Sequence, residues 1–457
     1  MKILNKLLFI IMILLGEESF AQQYIQTWFS YPEKQKMLYR IEDQLLSKEA
    51  NSPNILEIFP NKTYQTLDGF GFMLTGSSAQ MIEQLPKDQQ EKLLQELFNL
   101  EDDGLGISVL RVSIAASDMD EEIFSYTPEP SLASFSLARD ERYLIPLLKK
   151  IKAIQPGIKL LAAPWSPPTW MKTNQETKGG ELNPAFYEAY AQYFVKYLQT
   201  MKKHGLEIYA LSPQNEPLHP GNNPSLYMPA KTQAVFIKNH LGPAFEKNNI
   251  KTKILIYDHN CDKPEYAIDI LNDPKAKKYV YGSAFHLYNG EESAMSKVKM
   301  AHPDKELFFT EQWTGVKGDF AGDFNWHIKH VIIGTLNNFS RTALEWNLSN
   351  DPELKMHSPG GCTECLGALT IGKSVEKRNQ SYYIIAQASK FILPNSVRVA
   401  SSKLPGINQV AVKRPDGSFA VILQNESDKD QTVTIKLNNR FATIQLPKGV
   451  VSSHIIL

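Results

Sequence analysis

Glu207-Ile208-Tyr209-Ala210-Leu211-Ser212-Pro213-Gln214-Asn215-Glu216-Pro217 is an apolar, β-prone run that closes on a lone carboxylate. A strand packed in a core has no structural use for a charge at its C-terminal tip. A second run of the same design, Glu306-Leu307-Phe308-Phe309-Thr310, leads into Glu311-Gln312-Trp313. Two carboxylates at the tips of two strands of one barrel are what acid/base and nucleophilic work on a glycosidic bond requires.

The chain around these runs supplies such a barrel. Apolar strands are predicted at 69–74, 107–114, 158–163, 207–211, 253–257, 279–285, 306–310 and 342–346. Helical patterns lie between them, at 78–99, 144–154, 184–204, 229–247 and 323–338, with another at 380–392. The helix at 184–204 has Asn183 as a cap, Pro184 at its first position and Gly205 after its end. The strands are almost continuously apolar, as strands buried on both faces must be. Eight strands alternating with helices read as an α/β fold, a (β/α)8 TIM barrel. An open doubly wound sheet is the rival, and no Gly-rich phosphate loop at a strand–helix turn supports it.

The pattern changes near Ser396. Short β-prone runs follow at 397–399, 409–412, 419–423, 432–435 and 454–457, with Pro415-Asp416-Gly417 as a hairpin turn. An antiparallel sheet this small is uncomfortable alone. The strand-like N-terminal runs at 24–29 and 55–59 are therefore expected to join it, giving a side β-sandwich built from both chain ends. The expected division is 1–21 signal peptide, 22–64 N-terminal strands, 65–393 catalytic barrel and 394–457 C-terminal β-sandwich.

Lys2 and Lys6, the apolar run 7–15 and Ser19-Phe20-Ala21 have the form of a secretory signal, with cleavage after Ala21. An uncleaved anchor is the alternative. Secretion or a periplasmic location is the expectation, with no later segment apolar enough to span a membrane. Formal net charge is zero, which disfavours nucleic acid or an anionic membrane as the main partner and suits a neutral, hydroxyl-rich ligand. The cysteines are Cys261, Cys362 and Cys365. Cys362-Thr363-Glu364-Cys365 is open to redox, half-metal-site or disulfide readings, and in an oxidising compartment a local disulfide between Cys362 and Cys365 fits best.

Barrel enzymes work at the C-terminal ends of their strands. Reading those exits in turn gives Arg111 and Asp118, Trp165, Asn215 and Glu216, His286 and Tyr288, Glu311 and Trp313, then Glu345, Trp346 and Asn347. Strands four and seven face each other across the mouth, so Glu216 and Glu311 are expected to flank a sugar about 5 Å apart, the retaining spacing. The Asn215 amide is placed to hold a sugar hydroxyl, and His286 and Tyr288 to hydrogen-bond Glu311 and keep it ionised. Trp313 and Trp346 suit sugar platforms. Asp258-His259-Asn260 reads as loop-ordering. Neither an HExxH nor a carboxylate cluster points to a metal, and no cofactor is expected.

Longer motifs carry a resemblance. They are Asp68-Gly69-Phe70-Gly71, Ser77-Ser78-Ala79, Leu110-Arg111-Val112 with Ser117-Asp118, and the run 163–172 around Trp165. To these add Gln214-Asn215-Glu216-Pro217, Phe285-His286-Leu287-Tyr288, Thr310-Glu311 and Glu345-Trp346-Asn347-Leu348. From about Asp68 to its end the chain resembles glycoside hydrolase family 30, which includes glucosylceramidases, β-glucanases and xylanases. The resemblance implies Glu216 as acid/base and Glu311 as nucleophile of a retaining mechanism. Asp118, Trp165, Asn215, His286, Tyr288 and Trp346 then match the wall of the terminal-sugar subsite, with Arg111 supporting from behind. Pro359-Gly360-Gly361-Cys362-Thr363-Glu364-Cys365 looks like the β-glucan-active members. No arginine there suits glucuronate, which disfavours a glucuronoxylanase. The first expected substrate is β-1,6-glucan; glucosylceramide, a β-xyloside, or a non-catalytic carbohydrate-binding role are the alternatives. Oligomeric state is not legible.

Overall fold

The computed structural model describes residues 23–101 and 104–457. The expected signal peptide at 1–21 lies outside them.

Eight parallel strands form the barrel: β1 Gly69–Leu74, β2 Val109–Ser113, β3 Lys159–Ala163, β4 Ile208–Leu211, β5 Lys253–Cys261, β6 Val280–Gly290, β7 Glu306–Glu311 and β8 Thr342–Glu345. Each pairs with its neighbour in sequence, and β8 returns to β1. A parallel bridge from Leu307 to Ser340 brings β7 against the start of β8 and nearly closes the ring. Val109, Leu161, Ala210, Leu255, Ala284, Phe308 and Leu344 fill the interior. A barrel with a packed middle leaves only its ends for chemistry. At Gly71 the strands approach so closely that a Cβ would lie 1.8 Å from the Val109 carbonyl oxygen.

Two predicted helices are interrupted. The run at 78–99 is two helices, Gly76–Glu83 and Lys87–Phe98, parted at Pro86. Thr75 caps the first by accepting from the Ser78 N–H at 3.1 Å. The run at 229–247 contains a π turn, Ile237–Leu241, just before Pro243. A proline inside a helix lacks a donor and crowds the preceding turn, and a widened turn relieves both.

The second layer is a ten-stranded sheet from both ends of the chain. Tyr24–Tyr31 pairs antiparallel with Val451–Ile456, and Ile55–Thr66 with Val397–Ser401. One pair departs from the antiparallel expectation: Ile55–Ile58 runs parallel to Thr434–Leu437. The strand Arg440–Leu446 lacked a strong apolar run and escaped the sequence reading. Ile25, Leu56, Val421, Leu423, Val433 and Ile444 belong to its own apolar core. Among the described residues no helix is long and apolar enough to cross a membrane.

Candidate active site

The tip of β4 is tied to its neighbours through the backbone. The Asn215 N–H donates to Pro164 O at 2.8 Å and the Glu216 N–H to Asp258 O at 3.0 Å. Gln214 Nε2 donates to Trp165 O at 2.7 Å. Glu216 itself sits at φ 45°, a left-handed conformation that costs a non-glycine residue and that these ties hold in place. Glu311 ends β7 and pairs with His286 of β6.

Two bulges aim further side chains into the mouth. The β5–β6 register steps from Tyr257/Ala284 to His259/Phe285, which leaves Asp258 as an extra residue. The β6–β7 register steps from Phe285/Phe309 to His286/Glu311, which leaves Thr310 extra. A bulge re-aims the side chain it carries. Here Thr310 Oγ1 donates to Asp258 Oδ1 at 2.7 Å, inside the site.

Arg111 is the hub. Its Nη1 donates to Glu311 Oε2 at 2.5 Å, and its Nη2 to Asn215 Oδ1 at 2.6 Å and Asp258 Oδ2 at 2.9 Å. The Tyr288 hydroxyl donates to Glu311 Oε1 at 3.0 Å. His286 Nε2 lies 3.2 Å from Asp258 Oδ1, and its Nδ1 lies 3.4 Å from Glu216 Oε1 and 3.6 Å from Glu311 Oε1. One oxygen of each glutamate and a His286 nitrogen all fall within 4.8 Å of one another. Of the two residues expected to hydrogen-bond Glu311, Tyr288 does so; His286 bonds Asp258 and Glu216 instead.

Electrostatics follow from this packing. Burial alone would lower the His286 imidazole, but the Glu311 charge and the Asp258 and Glu216 contacts raise it to about 9, so it is charged at neutral pH. Burial would raise Asp258, and the Arg111 and His286 charges hold it far below the ordinary carboxyl range. The two glutamates titrate as a coupled pair. Burial raises both; the His286 hydrogen bond outweighs it for Glu216, which ends lowered, while Glu311 ends raised beside Glu216 and Asp258. Where the proton of the pair rests thus depends on which glutamate His286 leans toward.

Above this network lies a cavity of about 380 Å³. Asp118, Trp165, Glu216, Tyr288, Glu311, Trp313 and Trp346 line it, all of them singled out in the sequence. Asn215, His286 and Arg111 lie beneath it and brace the glutamates. Trp165 and Trp346 pack at 5.5 Å between ring centroids, and the Arg111 guanidinium stacks 5.0 Å from the Trp165 ring. Asp118 Oδ1 is buried with no hydrogen-bond partner. Its carboxyl is pushed up to about 7, first by burial and then by the Glu311 charge.

Some residues stand elsewhere than the strand exits suggested. Glu345 pairs with His327 Nδ1 at 2.7 Å and does not line the cavity. Asn347 Oδ1 accepts from Ser78 Oγ at 2.7 Å. Sequence reading missed His219, Asn222 and Asn260, which line the cavity, and the part played by Asp258. Asp258 had a usable signal: it ends β5, between the strands that carry Glu216 and His286.

The loop after β8 forms one wall. Cys362 and Cys365 are joined by a disulfide that borders the cavity, and Cys261 is a buried free thiol. The Ser358 N–H donates to Asp118 O at 3.0 Å, and a Cβ at Gly361 would meet that same oxygen at 2.2 Å. Asn223 Nδ2 donates to Pro359 O at 3.0 Å, which ties this loop to the one after β4. Two described groups have metal-like spacing, Glu216/His286/Glu311 and Glu291/Glu292/His330. The first is the pair above, whose outer oxygens already accept from Arg111 and Asn222; the second lies at the surface and is not part of the cavity.

The fold and the site can be set beside known proteins. The glycosyl hydrolase family 30 TIM-barrel domain matches residues 67–392, and the family's β-sandwich domain matches 395–452. An endo-1,6-β-D-glucanase of Neurospora crassa is 32% identical over 401 residues, covering 82% of each chain. The lysosomal acid glucosylceramidase of Mus musculus is 30% identical over 439 residues, covering 89% of this chain and 84% of that protein. A solved endo-β1,6-glucanase, BT3312, superposes with a TM-score of 0.89 at 33% identity, over 94% of this chain and 99% of that one. The match spans barrel and sandwich alike, and the chain belongs to glycoside hydrolase family 30.

Proposed function

We propose that this glycoside hydrolase is a secreted, retaining enzyme that cleaves β-1,6-glucan by double displacement. The observation that carries the reading is the spacing of Glu216 and Glu311, whose facing oxygens lie within 4.8 Å. Inverting enzymes hold their carboxyl groups about 6.5–9.5 Å apart to admit a water, and retaining ones about 5–5.5 Å apart. The smaller gap leaves room for direct attack.

Glu311 is the nucleophile because its partners suit an anion. A permanent cation, Arg111, holds Oε2, and the Tyr288 phenol holds Oε1. Glu216 has no permanent cation of its own. In the first step a Glu311 oxygen bonds to the anomeric carbon as the bond to the leaving sugar oxygen breaks. Glu216 gives that oxygen its proton. In the second step Glu216 takes a proton from water, the hydroxide oxygen bonds to the anomeric carbon, and Glu311 is released. Asp118, with an oxygen that lacks a partner, accepts from sugar hydroxyls; the Asn215 amide nitrogen donates to them. Trp165, Trp313 and Trp346 face the apolar side of the ring.

The substrate follows from the relatives, since two of those compared are endo-1,6-β-glucanases. A glucosylceramidase activity is the second reading, supported by the mouse relative. Purified protein should be offered β-1,6-glucan, β-1,3-glucan, xylan, glucosylceramide and aryl β-glycosides. Release of β-1,6-linked oligomers or glucose with retained anomeric configuration is expected. Hydrolysis of glucosylceramide alone would transfer the assignment to the second reading. Binding without turnover across the panel would point to a carbohydrate-binding protein. For the leader, N-terminal sequencing of exported protein should begin at Gln22; an intact Met1 would refute cleavage.

A further inference from the structure

We infer that Asn222 is the residue that orients the acid/base carboxyl and fixes which of its oxygens carries the transferable proton. The inference rests on the reading of Glu216 as acid/base. Glu216 Oε1 is the oxygen beside His286 Nδ1, and Glu311 Oε1 approaches the same nitrogen. The two Oε1 atoms therefore face the gap in which the glycosidic bond must lie. Glu216 Oε2 is turned the other way, and Asn222 Nδ2 donates to it at 3.2 Å.

A donor N–H at one oxygen of a carboxylic acid makes that oxygen the carbonyl end. The proton then sits on Oε1, the oxygen that faces the scissile bond. Without Asn222 the carboxyl is free to rotate about its last torsion, a broad and shallow one. Proton and carbonyl oxygen would then exchange places, and a fraction of the enzyme would present the wrong oxygen to the leaving group.

The segment that carries Asn222 is held as such a role demands. Ser225 Oγ donates to Pro220 O at 3.0 Å and closes the loop on itself. The buried Lys172 donates from Nζ to Ser225 O at 2.7 Å and to Thr177 O at 3.0 Å, which binds the loop after β4 to the loop after β3. On the other side Ser358 Oγ donates to Asn223 O at 3.1 Å. Asn222 is thus a half-buried amide on a loop braced from both flanks, and it lines the cavity on the side away from Glu311.

Leaving-group dependence tests this directly. Asn222→Ala, Asn222→Asp and Glu216→Gln should be compared with wild type by kcat/KM on aryl β-glucosides of graded leaving ability. Glu216→Gln should show a steep loss toward poor leaving groups, because these need the proton. Asn222→Ala should follow the same trend less steeply, losing roughly 10-fold on phenyl glucoside and within about twofold on the dinitrophenyl glucoside, as expected for partial loss of general-acid catalysis. The amide also favours the carboxylate form, so its removal should raise Glu216 and move the basic limb of kcat/KM upward by roughly half to one pH unit. Asn222→Asp keeps the size and replaces the donor with a like charge, and should move that limb further. A uniform loss across all leaving groups with an unmoved limb would overturn the role of Asn222. If Glu216→Gln were itself insensitive to the leaving group, the acid/base reading would fall, and this inference with it.

Discussion

The two ends of the barrel each bury charge, and they do so in opposite ways. At the bottom, Asp68 precedes β1 and is surrounded. Its Oδ1 accepts from Lys159 Nζ at 2.5 Å and Arg341 Nη2 at 2.9 Å, and its Oδ2 from Arg341 Nε and the Tyr209 hydroxyl, both at 3.0 Å. One carboxylate has two cations, and both of its oxygens are satisfied. At the mouth, Asp118, Glu216, Asp258 and Glu311 share Arg111 and the His286 imidazole. Asp258 is satisfied there and Asp118 is not. The bottom network is complete without a ligand, whereas the mouth is complete only with one. A protein gives up stability where it must bind and react, and recovers it where it need not.

The sharpest way to break this contrast is at the reacting pair. Glu311→Gln should abolish turnover while leaving the thermal transition in place, measured by product release and circular dichroism. Normal activity would remove Glu311 as nucleophile.

At the bottom the outcome should be inverted. Asp68→Asn leaves two cations facing a neutral amide, and breaking a buried pair costs about 3–5 kcal/mol. Urea unfolding should show that loss, and kcat should stay within about twofold of wild type because no bottom residue reaches substrate. A large fall in kcat in protein that remains folded would mean the two ends are coupled.

Asp118→Asn should do the opposite again. Loss of one charged hydrogen bond to substrate should lower kcat/KM by roughly 10- to 100-fold. At pH 8 the melting temperature should hold or rise, because an unpartnered buried charge has been removed. A marked fall in melting temperature would show that Asp118 supports the fold.

The smallest effect is the pH dependence of stability, whose sign differs between the ends. Asp68 is held below its ordinary range: burial opposes this, and the Arg341 and Lys159 contacts outweigh it. Its contribution is complete above the unfolded carboxyl pKa of about 4 and is lost as acid titrates it. Asp118 at about 7, and the buried Asp140 at about 7, run the other way. Between about pH 4 and 7 the folded state binds more protons than the unfolded one at these groups, so their contribution falls as pH rises. Asp140 accepts from the Tyr126 hydroxyl, a contact that an asparagine oxygen can retain. Asp140→Asn should flatten the decline of melting temperature from pH 5 to pH 8 by a few degrees, roughly what 1 kcal/mol does in a domain of this size. An unchanged slope would place the titration elsewhere.

How much of this was legible beforehand differs by element. The barrel strands were, because burial on both faces demands continuous apolar runs that leave their mark on local composition. Glu216 and Glu311 were, because a charge at the tip of such a run conflicts with its surroundings. Helix breaks at Pro86 and before Pro243 were locally signalled and should have been read more closely. Arg440–Leu446 was not, since an edge strand of a mixed sheet needs little hydrophobicity of its own.

The sequence by itself determined the alternation that makes a barrel, the two carboxylates and the aromatic residues around them, because each is a local conflict between residue type and setting. Only the tertiary structure decided which side chains turn inward. The bulges at Asp258 and Thr310 shift the register by one residue, and a one-residue shift reverses the face on which every later side chain stands. That is why Asp258 is a member of the site, and why His286 braces the glutamates from beneath rather than lining the cavity. The contact of Asn222 with Glu216 is likewise a product of how the loop after β4 folds back over the mouth, held by Lys172 and Ser358 from other strands.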